Sequence, residues 1–354
     1  MTTMKAVELY APGKFRFRTD VPVPEPGPKE VRVRVAAAGI CGTDVHICSD
    51  DASMREIVAT PVILGHEFCG FVDKVGREVT DLQPGTYVSA EMHEVCYHCP
   101  ACLDGQYHAC SKTRIRGVNL PGAFAEFAIV SASNVVKLPA SLPQQVGAIL
   151  DPLGNAVHTA LKVPVERRSV AIVGYGPIGA MCAEVVLFAG CKHLFVVDVS
   201  DKALGRAEEW RQRRDVGSKV TLVDGRKNPI QQIVAATEGG VDVALEMSGH
   251  PTGINNAIQM TRAAGHVVHL GIPKGDVVGI EGFGKNFIFK GLTLHAVIGR
   301  EMFATWNKML DLLQRGMDVT HFVTMTAPLE DFATGLDRFA KGLEGKVVLY
   351  PHGR

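Results

Sequence analysis

Four of the nine cysteines of this 354-residue chain lie in one short stretch, CYHCPACLDGQYHAC (96–110). Cys96, Cys99, Cys102 and Cys110 follow the spacing C-x2-C-x2-C-x7-C. Two residues between thiols put neighbouring sulfurs on one side of a turn, and a fourth ligand from the far end of a small loop closes a tetrahedral shell. A shell of four thiolates leaves no position for substrate, so an ion held there is structural, with Pro100 and Gly105 helping the loop to turn. An iron–sulfur cluster also uses C-x2-C-x2-C; the longer gap to Cys110 and the lack of a partner cluster favour zinc. Four unrelated buried thiols would be the plain alternative, and their density argues against it.

A second set is dispersed. Cys41 lies in GICGTDVHI (39–47), His66 and Glu67 lie in GHEFCG (65–70), and Asp151 lies in LDPLGNAVHTAL (150–161). Sulfur, nitrogen and carboxylate donors with one position left free are what a catalytic zinc requires. Thr43 and His46 add a hydroxyl and an imidazole close to Cys41, suited to carrying a proton outward from the metal. Singly, each has a plainer reading: His66 as a hydrogen-bonded loop histidine, Asp151 before Pro152 as a turn or helix cap.

The third constellation is VAIVGYGPIGAM (170–181), where Gly174, Gly176 and Gly179 form G-x-G-x-x-G after an apolar run and before a helical one. The first glycine permits the turn, the second lets backbone approach a pyrophosphate, and the third packs helix on strand at the positive end of a helix. The run HLFVVDV carries Asp198 near its end, 24 residues after Gly174. A carboxylate there accepts hydrogen bonds from ribose hydroxyls and repels a 2′-phosphate, so NAD rather than NADP is expected, with Lys202 nearby as the contrary charge. Cys48, Cys69, Cys182 and Cys191 read as small packing residues, Cys69 close to the metal.

The elements that must position these groups change character along the chain. Residues 5–90 read as short strands with Gly/Pro punctuation: EVRVRVAAAGI alternates with period two, and HEFCGFVDKVG and GTYVSAEM follow in the same style. From about 170, SVAIVG, HLFVVDV, KVTLVD, VDVALEMSG and GHVVHLGI are β-branched runs, mostly separated by helix-like segments, which predicts a parallel sheet covered on both faces. The close has a helical pattern, FATWNKMLDLLQRG, and a strand, GKVVLYP, returning to the first part. Length favours two domains, and 46% apolar with 21% charged residues is ordinary globular composition. Lys+Arg and Asp+Glu both total 37, so no net charge draws the chain to nucleic acid or membrane. The basic run RQRRD (211–215) reads as a solvated helix face. The apolar run 169–191 carries three glycines and a proline in its first half and Glu184 in its second, so a strand, a turn and a helix explain it better than a membrane span. The N-terminal residues carry no secretory pattern, and a cytoplasmic location is expected, where thiols serve metals or catalysis.

In this order the pieces resemble the zinc-dependent medium-chain alcohol dehydrogenases over essentially the whole chain. The resemblance is carried by CGTDVHI, GHEFCG, GVNLPGAFAEF, DPLGNAVHTAL, GPIGAM, LEMSG, LGIP and GREMFATWNKM. It implies an α/β protein with a GroES-like β-rich catalytic domain (1–155 and 295–354) and a Rossmann doubly wound parallel-sheet domain (156–294). It also implies Cys41, His66 and Glu67 as catalytic zinc ligands, Thr43 with His46 as a proton relay, and Asp151 as a carboxylate assisting it. Cys96, Cys99, Cys102 and Cys110 become the ligands of a structural zinc. Ile178, Asp198, Leu270, Gly271, Ile272, Val297 and Ile298 line the NAD site, and His93 lies near the substrate, with Arg300 and Glu301 candidates by position. The implied reaction is NAD-dependent oxidation of a small secondary alcohol, L-threonine leading and a polyol or diol as the alternative, by a homotetramer. Two departures stand out. CSDDASMREIVAT (48–60) replaces a tryptophan-rich family segment, and Ala203 stands where the family commonly has an arginine that helps hold the cofactor.

Overall fold

The period-two run EVRVRVAAAG forms the strand Glu30–Gly39, with Val31, Val33 and Val35 buried. A computed structural model describes residues 2–353 other than Lys274 and Asp276. The chain divides into two units, Met1–Pro152 with Glu301–Trp306 and Thr320–Arg354, and Leu153–Arg300 with Asn307–Val319. Asn307–Val319, which the sequence reading assigned to the first domain, thus clusters with the second.

In the first unit Glu30–Gly39 is central to a seven-stranded sheet. Glu67–Val75 and Phe127–Ser131 pair with it antiparallel. Tyr87–Ala90 and Val135–Lys137 continue the sheet beyond Glu67–Val75. The closing strand Lys346–Tyr350 joins its other side, pairing Gly39 with Val348, and carries Val323–Pro328 outside it. The returning tail expected from GKVVLYP is therefore part of the same sheet. Its core gathers Val33, Val35, Ile40, Phe68, Phe124, Phe332 and Leu349.

The second unit carries six parallel strands. Their spatial order is Val220–Asp224, His193–Asp198, Ser169–Val173, Val241–Glu246, Thr261–His269 and Thr293–Ala296. Numbered along the chain this is 3-2-1-4-5-6, the doubly wound order in which ligands bind beyond the strands' carboxyl ends where the order reverses. Val170, Ala171, Ile172 and Leu194 are wholly buried, as strands covered on both faces must be. The apolar run 169–191 resolves into the strand Ser169–Val173, a turn and the helix Pro177–Phe188. RQRRD falls at the end of the helix Asp201–Arg213, where Arg211 pairs with Glu208. Among the described residues no helix is long and apolar enough to cross a membrane.

Candidate active site

Sheet register assembles the dispersed ligands. Gly39 pairs with Glu67, so Cys41, two residues past one strand's end, meets His66 and Glu67 at the other's start. The approach is close: a Cβ on Gly39 would lie 2.4 Å from Glu67 Oε2 and 2.8 Å from the Ala148 carbonyl, so only glycine fits. One ligand atom each from Cys41, His66 and Glu67 lies within 4.8 Å of the others. His66 and Glu67 are buried, and His66 Nδ1 and Glu67 Oε1 have no hydrogen-bond partner among the described residues. An orphaned imidazole nitrogen and an orphaned carboxylate oxygen, both buried and converging with a partly buried thiol, fit a divalent cation.

Asp151 opens the helix Leu150–Ala160 and is 8% exposed. It lies outside the three-ligand group, yet its charge is felt there. Burial opposes a charged His66, but Cys41, Asp44 and Asp151 outweigh it and lift the imidazole to about 10. Cys41, Asp44 and Asp151 thus make this point favourable for positive charge.

Two supports were not read from sequence. Asp44, wholly buried, accepts the Cys41 amide at Oδ2 (2.8 Å) and places Oδ1 3.9 Å from His66 Nδ1. Lys346, 1% exposed, donates to Glu67 Oε2 and to the Ile40 carbonyl, both at 2.5 Å. Burial opposes its charge, and Glu67 with Cys41 outweighs burial, so the lysine stays an ammonium. A lysine opening an apolar strand was the only signal that could have flagged it.

Thr43 and His46 share one face of the short helix Gly42–Cys48. Thr43 Oγ1 is 3.7 Å from Cys41 Sγ. One turn on, the His46 side chain is 54% exposed, and its Nδ1 lies 2.9 Å from Asp51 Oδ2. The Ser53 amide and hydroxyl, with His46, hold Asp51 down to about 2. The residues thus run from the thiol towards solvent, with Asp51 a terminus the sequence reading missed. His93 donates Nδ1–H to Glu91 Oε1 (2.6 Å), and the fully buried Glu91 also accepts Trp306 Nε1–H (3.0 Å). Arg300 is buried against Asn155 Oδ1 at 3.4 Å.

The four-thiol stretch is self-contained. All four sulfurs lie within 4.8 Å of one another, Cys110 and Cys102 at 3.6 and 4.0 Å from Cys96. A tetrahedral ion with bonds of about 2.3 Å needs sulfur edges of about 3.8 Å, whereas a cluster spreads its cysteines over several irons. The amides of Cys96, Cys99 and Lys112 donate to sulfur at 3.3–3.4 Å, as thiolates invite. Cys69 is outside both groups: it is buried against Tyr87, and burial pushes its thiol up to about 12.

In the second unit the three glycines behave as their spacing predicts. Gly174 has φ +103°; Gly176 has no atom within 4 Å of a would-be Cβ; Gly179 would put one 2.0 Å from the Gly174 carbonyl. Asp198 accepts the Tyr175 amide (2.6 Å) and the Ser200 amide (2.8 Å), so its carboxylate sits on the glycine turn. Ile178 is the second residue of the helix Pro177–Phe188. Leu270, Gly271 and Ile272 follow the strand Thr261–His269, and Val297 and Ile298 follow Thr293–Ala296. All lie at carboxyl ends of parallel strands, with Ile272 90% exposed. Ala203 is buried and supplies no cation.

Residues 27–140 match the alcohol dehydrogenase GroES-like domain, and residues 177–315 match the zinc-binding dehydrogenase family. L-threonine 3-dehydrogenase of Bacillus velezensis is 41% identical over 318 residues, 89% of each chain. The chain belongs to the zinc-dependent medium-chain alcohol dehydrogenases. Solved structures agree with that membership. A Sinorhizobium meliloti protein described as a zinc-binding dehydrogenase bound to NADP superposes with TM-score 0.88 at 30% identity, covering 99% of this chain and 100% of that one. 2R,3R-butanediol dehydrogenase from Bacillus subtilis gives 0.86 at 27% identity, covering 99% and 100%. This medium-chain dehydrogenase is thus an oxidoreductase.

Proposed function

We propose that the enzyme oxidises L-threonine to 2-amino-3-oxobutanoate with NAD. The observation that carries the reading is the convergence of Cys41, His66 and Glu67 within 4.8 Å. The substrate class is supported by relatives named L-threonine 3-dehydrogenase at about 40% identity. When bound, zinc supplies Lewis-acid polarisation of an alcohol oxygen and NAD supplies the hydride acceptor. Cys41, His66 and Glu67 would hold that ion, with Asp151 adding negative charge, and the four-thiol lobe would hold a second.

The chain's own part is to orient the substrate and move its proton. Thr43 takes the hydroxyl proton and passes it to His46, whose Nδ1 is tied to Asp51, so the charge leaves on the exposed side. The carbinol hydrogen departs as hydride, and the carbon–oxygen bond becomes a carbonyl. His93, fixed at Nδ1 by Glu91, keeps Nε2 for a polar group of the substrate. The glycine turn and the start of the helix Pro177–Phe188 receive the pyrophosphate, Asp198 receives the adenine-side ribose, and Leu270–Ile272 with Val297 and Ile298 line the remainder. A carboxylate at Asp198 favours NAD over NADP.

The altered segment 48–60 and the likeness to a butanediol dehydrogenase favour a second reading, oxidation of a diol or sugar alcohol. A screen of zinc-replete enzyme with NAD and NADP against threonine, 2,3-butanediol and sugar alcohols separates the two. Threonine with NAD is expected to have the highest kcat/KM, and a diol ahead by tenfold or more overturns the substrate assignment. The assembly expected is a homotetramer, which light scattering checks.

A further inference from the structure

One buried acid in the second unit takes no part in the scheme above. Glu246 ends the strand Val241–Glu246, is wholly buried, and forms no ion pair with a lysine or arginine among the described residues. A buried carboxylate without a cation is retained only where N–H and O–H donors replace its hydration. Oε1 accepts the Ser248 amide (2.9 Å), the Ser248 hydroxyl and the Gly249 amide (3.2 Å). Oε2 accepts the Gly249 amide (3.1 Å) and lies 3.3 Å from His269 Nδ1. The Glu246 carbonyl accepts the amides of Leu270 (3.0 Å) and Gly271 (3.2 Å).

This one residue therefore ties the turn after its own strand to the segment after the neighbouring strand Thr261–His269. Packing leaves no slack. A Cβ on Gly271 would lie 2.1 Å from the Gly249 amide and 2.7 Å from Glu246 Oε2. One on Gly253 would lie 2.4 Å from Ser248 Oγ. Ser248 also backs the glycine turn, its amide 3.0 Å from a would-be Cβ on Gly174.

Topology says which half of a dinucleotide depends on this knot. In the sheet, Asp198's strand lies on one side of Ser169–Val173, and the strands ending in Glu246 and His269 lie on the other. With the pyrophosphate at the central glycine turn and the adenine-side ribose at Asp198, the nicotinamide half must pass over the ends of the Glu246 and His269 strands. We propose that Glu246 is the positioning residue for the nicotinamide half of the cofactor site, holding Ser248–Gly249 and Leu270–Gly271 in the shape that receives it. The inference rests on the cofactor reading given above.

The test measures NAD and AMP binding to the full-length, zinc-loaded protein by calorimetry. AMP probes the adenine half alone, so a general loss of folding would weaken both ligands, whereas a lost clamp weakens only NAD. Glu246→Gln is expected to raise the NAD Kd tenfold or more and leave the AMP Kd within twofold. An NAD Kd within twofold of wild type, or parallel weakening of both ligands, overturns the proposal. Should Glu246→Gln not fold, Ser248→Ala, which keeps the carboxylate and removes one donor, takes its place. About a threefold loss for NAD with AMP unchanged supports the clamp; an unchanged ratio of the two overturns it. Wild-type protein that binds neither ligand refutes the cofactor reading itself, a result separate from either variant's.

Discussion

The two candidate metal centres of the first unit are built on opposite plans. The four thiols come from one loop of local turns, Cys99 opening the helix Pro100–Leu103 and Cys110 following Tyr107–Ala109. The second centre takes Cys41 from a helix start, His66 and Glu67 from a strand start, and a supporting ammonium from Lys346 at the far end of the chain. The first has four like donors, enough to complete a tetrahedral shell. The second has three unlike donors, buried counter-charges behind it and a hydroxyl–imidazole path leading outward. A closed shell can only hold structure together, while an incomplete one can bind and polarise a substrate. If that contrast is right, the same kind of lesion must do different damage in the two places.

The largest expected effect is on turnover. Cys41→Ser removes the thiolate and should lower kcat/KM by about a thousandfold or more, the several kcal/mol that a Lewis acid contributes. Metal content should fall from two ions per chain to one, with little change in melting temperature. Turnover within tenfold of wild type, at a verified single ion, would sink the assignment of the working centre. Cys102→Ala should do the reverse. Structural zinc sites contribute on the order of 10 kcal/mol to the folding of small domains. Within a larger unit we expect a melting temperature lower by about 10 °C or more, with activity per folded molecule largely kept. A variant equally stable but inactive would mean that the roles are exchanged.

The same contrast explains what sequence could and could not disclose. The thiol lobe was readable because its ligands are neighbours in the chain and their spacing is their geometry. So was the glycine turn, whose three positions have the φ angle, open space and close packing that their spacing implies. The parallel sheet was readable from β-branched runs, since strands buried on both faces need no alternation. Cys41, His66 and Glu67 could be named through family resemblance, but their meeting depends on the Gly39–Glu67 register, a non-local fact. Asp44, Glu91, Lys346 and Glu246 were missed for one shared reason. Each is a charge whose value comes from a partner it acquires only on folding, and no spacing in the sequence names that partner. The division of the tail was also hidden, because nothing in FATWNKMLDLLQRG marks Trp306 and Asn307 as falling in different units.

Lys346 sharpens the comparison at intermediate size, since the thiol lobe has no counterpart to it. Lys346→Met would leave Glu67 buried without its cation, a lesion that typically costs about 3–5 kcal/mol. Zinc at the Cys41 centre replaces part of the missing charge. The stability gap to wild type, measured by urea unfolding, should therefore be wide in chelated protein and narrower in zinc-replete protein. The lobe's ion should be retained throughout. Equal stability of the variant and wild type without metal would show that the Lys346–Glu67 pair does not support the centre.

The smallest effect tests the outward path, which only the incomplete centre has. Asp51 caps the helix Ala52–Arg55, accepts from Ser53, and faces His46. Its folded value, about 2, lies below the ordinary 3.8, so the folded state binds fewer protons than the unfolded state between those limits. By linkage, stability from this group is fully present above about pH 4 and is lost as pH falls towards 2. Asp51→Asn should therefore be mildly destabilised near pH 6, by an amount within the usual range for a lost cap, with the gap closing as pH drops from 5 to 3. Metal content should stay at two ions, because neither shell includes Asp51. Turnover should fall several-fold, through disorder in His46 rather than loss of zinc. A gap that widens on acidification would mean that Asp51 is not held ionised by these partners, and would detach it from the proton path.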